Sequence, residues 1–187
     1  MKKWKLILAQ GALAGSLASV LSTAMLALAG RRQAGSAAAP INAVSHWYWG
    51  DEALHRNRAD LAHTGAGYLT HHGAATFWAM AYAALASDKP ATRTLQGVAL
   101  GAAATSAVAC LADFRFTPHR FTPGYEHRLS TGALALVYTA FGIGLAAGAL
   151  ALRDQYPDRE ETQALAAEEP DELPTPRIVR RVRAGNV

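Results

Sequence analysis

Seven histidines carry most of the chemistry this sequence offers, and they are not scattered. His46, His55, His63, His71, His72, His119 and His127 fall in two stretches of the chain, 46–72 and 119–127. Asp51, Glu52, Asp60 and Glu126 lie within the same stretches, and Asp113 stands just before the second. Imidazole suits zinc, copper, iron or nickel, and carboxylates that orient imidazoles are the usual second layer of such a centre. His63, His71, His72, His119, His127, Glu126 and Asp113 are therefore the candidate ligands of a transition metal or of haem iron. The spacing does not single out a metal, because no two histidines are four residues apart and neither an adjacent pair nor an interval of eight is an established ligand pattern. Two other readings stand beside it. In one, His71 or His72 bonds a backbone carbonyl, a threonine or a carboxylate and ties helices together. In the other, the cluster binds a proton or a small ligand.

What positions these residues is a set of apolar blocks. The hydrophobic share of 51% would suit a soluble domain, but the apolar residues come in long runs almost free of charge instead of at helical or strand spacing. Residues 6–30, 65–86, 94–112 and 131–152 form four such runs, each close to the roughly 20 residues a helix needs to cross about 30 Å of hydrocarbon. The predicted fold is an all-α membrane protein: a four-transmembrane-helix bundle over residues 1–152, with a partly helical first loop outside the membrane. Residues 153–187 run from acidic through proline-punctuated to basic without an apolar face, which predicts a disordered tail. Its "RIVRRVR" is suited to anionic lipid headgroups.

The first run begins after lysines and ends in "ALAG", as a cleavable signal peptide can. Its apolar length exceeds the roughly 7–15 residues of a signal peptide, and Arg31 and Arg32 follow at once, so it reads as a retained helix. Cys110, the single cysteine, lies within the third run and offers neither a disulfide nor a redox motif. Four crossings place both termini on one side. Lys and Arg number three at the N-terminus, two in the second loop and six in the tail, against four in the first loop and three in the third. That count favours cytoplasmic termini and puts all the histidines at the outer face.

A helix starting near Ala59 would set His63 and His71 about 80° apart around its axis and about 12 Å apart along it. His71 then faces the bundle, where Asp113 or Glu126 is its expected partner, and His72 turns about 100° away toward the interface. Ionisable groups inside a membrane face a bundle or a water-filled cavity and are functional candidates by default. Small-xxx-small pairs at Gly11 and Gly15, Gly97 and Gly101, and Gly144 and Gly148 are read as packing faces within the chain rather than as a dimer motif. "SHWYWGDEALHR" suits a segment at headgroup level. In "RFTPHRFTPG" each proline holds the preceding threonine extended, predicting a rigid double turn that fixes His119 and Glu126.

The stretches "GALAGSLASVLSTAMLALAG", "SAAAPINAVSHWYWGDEALHR", "GYLTHHGAATFWA" and "TPGYEHRLS" together resemble small four-helix inner-membrane proteins of proteobacteria, a family with no established activity. The resemblance covers about residues 10–150 and implies a multi-pass protein of the bacterial inner membrane, with no catalytic residue to carry over. Histidine-box desaturases and hydroxylases use HxxxH and HxxHH clusters, and neither occurs here. The expected function is thus that of a non-enzymatic membrane protein whose histidine face stabilises the bundle or contacts a partner. The alternative is a metal- or haem-binding membrane protein or a metal-dependent enzyme. Expected partners are membrane lipids and a second copy or another membrane protein. Nothing in the sequence suits nucleic acid.

Overall fold

The computed structural model describes residues 3–87, 89, 92 and 94–152, and every regular element among them is helical. The predicted tail, 153–187, lies outside the described residues. Four long helices are present: α1 (Lys3–Gln33), α4 (Ala66–Ala86), α5 (Leu95–Leu111) and α6 (Thr131–Leu152). Between α1 and α4 run two short helices, α2 (Ala39–Val44) and α3 (His46–Trp49), and a 3-10 turn, Gly50–His55. The first loop is thus helical in part.

Three stretches, Trp4–Gln33, Leu95–Phe116 and Thr131–Leu152, are long and apolar enough to cross a membrane. The predicted fourth, on α4, has the length at 21 residues but is not among them. Adjacent His71 and His72, with Tyr68 and Thr70, lower its apolar content. The stretch Leu95–Phe116 also runs further than the expected 94–112, because a π-helical turn, Ala112–Phe116, continues α5 and draws Asp113 into it.

Small residues decide how the helices meet. A Cβ on Gly15 would lie 2.6 Å from Thr76 Cα, and one on Gly11 would strike Met80. Residue numbers rise along α1 as they fall along α4, so the two helices are antiparallel. Gly144 and Gly148 of α6 meet Ala18 and Ala14 of α1 in the same sense. Gly142 sets α6 against Ser106 of α5, and Gly101 sets α5 against Tyr82 of α4. At Gly15, Gly144 and Gly148 the neighbouring backbone leaves no room for a side chain, so these glycines serve packing within the chain. Ala14, Ala18, Ala75, Ala79, Ala102, Ala109 and Leu145 fill the resulting core.

Loops one and three lock together over one end of these helices. Trp47 Nε1 donates to the Thr122 carbonyl at 3.0 Å, and its ring meets Phe121 edge-on. The Arg128 guanidinium donates to the Leu54 carbonyl at 3.1 Å and to Asn57 Oδ1. Asn42, fully buried, clips loop one by donating to the Arg56 and Arg58 carbonyls and accepting from the Thr64 hydroxyl. Gly124, at φ 85°, lies so close to the Ala43 carbonyl that no Cβ would fit. Thr117 and Thr122 are both extended ahead of their prolines, with 3-10 turns at His119–Phe121 and Tyr125–His127, which is the double turn expected of the repeated Phe-Thr-Pro.

Candidate functional site

Under the loop cap, polar side chains converge between the apolar helices. Ser22, His71, Asp113, Tyr125 and Tyr138 all line one chamber of about 40 Å³, with Trp78 and Phe141 among its apolar walls. A water needs about 10–15 Å³ measured this way, so the chamber has room for one.

Two hydrogen-bonded sets end on it. On the α1/α4 side, the Ser22 hydroxyl lies 2.7 Å from the Ala18 carbonyl and is hydrogen-bonded to His71 Nε2 at 2.8 Å. On the α5/α6 side, the Tyr138 hydroxyl donates to Asp113 Oδ2 at 2.5 Å, and the Tyr125 hydroxyl, 3.0 Å from that of Tyr138, is then the donor to it. Burial, and after it the Asp113 charge, raises the Tyr125 pKa well above its ordinary value, which keeps this phenol a proton donor. Glu126 also bears on Tyr125, placing a second carboxylate at this end of the helices.

The predicted ligands do not assemble into a metal centre. Among the described residues no three of His, Cys, Asp and Glu come together in a way that would hold a metal ion. The reason is that each has taken other company. His63 sits in a π-helical turn, Leu61–Gly65, where Nδ1 meets Asp60 Oδ1 at 2.9 Å and the ring lies against Trp49. That turn breaks the regular helical register, so His63 and His71 do not share the face that continuous α-helix would give them. His71 is the buried member of the pair, as expected, but bonds Ser22 rather than Asp113 or Glu126. His72 stacks on Tyr68, with Nδ1 buried and unbonded. Glu126 Oε2 is likewise buried without a partner, while Oε1 lies 3.9 Å from His127 Nε2. The rings of His119 and His127 meet edge-on at 5.9 Å, away from the chamber's lining.

Ser22, Tyr125 and Tyr138 are site residues that sequence reasoning passed over. Ser22 is one more small residue in "AGSLASVLSTAML", and neither tyrosine stands in a spacing pattern that marks it. A signal was available for Tyr138, a hydroxyl placed mid-run in the otherwise apolar "TGALALVYTAFGIGLAAGALAL". Compared with known proteins, the chain matches no family model, no curated protein and no solved structure.

Proposed function

We propose that the chain is a multipass protein of the bacterial inner membrane, with α1, α4, α5 and α6 all crossing the bilayer, both termini cytoplasmic, and a function of binding rather than catalysis exercised through the chamber. The observation that carries this reading is the convergence of Ser22, His71, Asp113, Tyr125 and Tyr138 on one cavity among closely fitted apolar helices. In hydrocarbon such groups are costly, and they persist where they face a cavity and hold a proton or a ligand. The chamber has room for a water, and its donors and acceptors suit a water that carries a proton between His71 and Asp113.

The fourth crossing is supported by how α4 divides its residues. Leu69, Phe77 and Leu85 are 70%, 63% and 70% exposed, while His71 and His72 turn to Ser22 and Tyr68. Lipid would therefore meet an apolar surface although the helix as a whole is only moderately apolar. Antiparallel contacts of α1 with α4 and α6 are what alternating crossings produce. The central place of α1, with Ala14, Ala18, Ser22 and Leu26 buried, favours its retention after insertion. The resemblance to small inner-membrane proteins of proteobacteria supports the compartment.

Topology reporters at Ala38, Lys89 and Arg120 test the crossings. Four crossings place Ala38 and Arg120 outside and Lys89 inside, whereas Ala38 and Lys89 on one side would remove α4 from the membrane. Elemental analysis of the detergent-purified protein tests the binding class: a stoichiometric transition metal would replace this reading with a metal-dependent one.

A further inference from the structure

A second pocket, separate from the chamber, opens between loops one and three, and it goes beyond the reading above. Its volume is about 380 Å³, within the range of small-molecule sites. His119, Arg120 and His127 contribute to its lining from loop three, and Asp51 with Trp47 and Tyr48 from loop one. The pocket is preformed, since Trp47 is tied to the Thr122 carbonyl and Arg128 joins the two loops through the Leu54 carbonyl.

The chemistry of the lining is dipolar. The Arg120 guanidinium lies 5.9 Å over the Phe121 ring and makes no ion pair with any described carboxylate. Beside it the two imidazoles of His119 and His127 add hydrogen-bond donors. Asp51 carries the opposite charge and also has no cationic partner among the described residues. His46 Nδ1 is held by the Ala43 carbonyl at 2.8 Å, so it carries the ring proton and Nε2 is an acceptor. An unpaired guanidinium and an unpaired carboxylate thus share one aromatic-walled pocket without meeting each other.

We infer that this pocket binds a zwitterionic headgroup that carries a phosphate and a primary ammonium, the phosphoethanolamine group. Arg120, His119 and His127 take the phosphate oxygens. A guanidinium favours such oxyanions through its fork of donors. Asp51 takes the ammonium, which the faces of Trp47 and Tyr48 also attract. Tyr48 and Trp49, 60% and 51% exposed, lie beside the pocket as rings do at headgroup level. The same group reaches the pocket either on a membrane lipid or on a soluble phosphodiester. Only the lipid source rests on the membrane placement proposed above.

The test uses the full chain in detergent. Native mass spectrometry reads retention of phosphatidylethanolamine against phosphatidylglycerol, and isothermal titration reads binding of glycerophosphoethanolamine, the same headgroup without acyl chains. Phosphatidylethanolamine is retained in preference, Arg120→Gln weakens it about tenfold by removing a charge-assisted bond, and Asp51→Asn abolishes the preference while phosphate binding remains. Titration by the soluble headgroup assigns a soluble source, and retention of the lipid alone assigns the membrane. Equal retention of both lipids with no binding of the soluble headgroup, or an Arg120→Gln variant that binds as the parent does, overturns the proposal. Both substituted side chains are exposed at the rim, and an unchanged melting temperature shows that folding is intact. The chamber shares no residue with this pocket, so failure here leaves the chamber reading standing, and failure of the chamber leaves this one.

Discussion

The two ends of the helix assembly are built on opposite rules. Toward the N-terminus of α1, Gly11 and Gly15 bring Met80 and Thr76 against the helix backbone, and Ala14 lies under Gly148. Between Gly15 and Thr76 and between Gly148 and Ala14 the backbones leave no room for a side chain, and close contact of small residues stabilises the packing there. Toward its C-terminus, α1 presents Ser22 and Leu26, α4 presents His71, and α5 turns π-helical around Asp113. The helices are held there by hydrogen bonds and by the docked loops, and a chamber remains between them. The difference teaches a division of labour: backbone contact at one end fixes the helices, which leaves the other end free to hold polar groups at a distance from each other. π-Helical turns are frequent at functional sites for the same reason, since they shift side chains out of the regular ladder.

The largest effect should come from the tight end. At Gly148 any side chain collides with the Ala14 backbone, which cannot give way as a flexible side chain can. Gly148→Leu is expected to cost about 3 kcal/mol or more, read as thermal unfolding in one detergent. Gly73 is the control, because nothing lies within 4 Å of a Cβ there. Gly73→Ala should stabilise by about 0.5–1 kcal/mol, the usual gain from replacing a mid-helix glycine. If both variants melt alike, the tight end is not where the helices are fixed.

At the polar end the expected losses are smaller and unequal. Tyr138→Phe removes the proton that Asp113 accepts and the oxygen that Tyr125 reaches, leaving two buried groups short of a partner at a cost of about 1–3 kcal/mol. Ser22→Ala removes one bond to His71, and interhelical bonds of that kind average about 0.6 kcal/mol. A larger loss for Ser22→Ala would mean that His71, rather than the Asp113 set, anchors the chamber.

The comparison also shows what hydropathy can and cannot reach. Where apolar residues come in a long run, composition alone locates the helix: α6 occupies the predicted 131–152, and α4 begins one residue from its predicted start. Proline chemistry is as local, which is why the loop-three turns were legible. Partners are not local. Ser22 and His71 are 49 residues apart, and Asp113 and Tyr138 are 25 apart, so their meeting depends on which helices are neighbours and at what rotation. That rotation is set by glycines on other faces, whose spacing of four is legible but whose partner helix is not, and by two π-helical turns that leave no periodic mark on the sequence. The expectation that His71 would bond a carboxylate failed on this point, although His71 and Asp113 do line one chamber.

The smallest expected effect lies at the hinge between the cap and α4, and it depends on pH. Asp60 caps the π-helical turn by accepting from the His63 backbone N–H at 2.7 Å, and it also meets the His63 ring and Arg56 Nε. That backbone bond first, and the bond to the His63 ring after it, lower the Asp60 pKa from 3.8 to about 2. A carboxylate whose pKa is depressed on folding stabilises the fold above its unfolded value and loses that contribution as pH falls through the folded one. The cap should therefore hold fully above about pH 4 and loosen progressively toward pH 2. Because Asp60 is open to solvent, the effect is confined to loop one and the first turn of α4, and the long helices themselves should not melt. Hydrogen exchange at the His63 amide reads this directly. Lower protection on acidification in the parent, with Asp60→Ala unprotected at every pH, is the expected pattern. A parent amide that stays protected down to pH 2 would show that Asn42, Arg128 and Trp47 hold the loops without the Asp60 carboxylate. In that case the capping carboxylate contributes nothing to keeping the polar end in place.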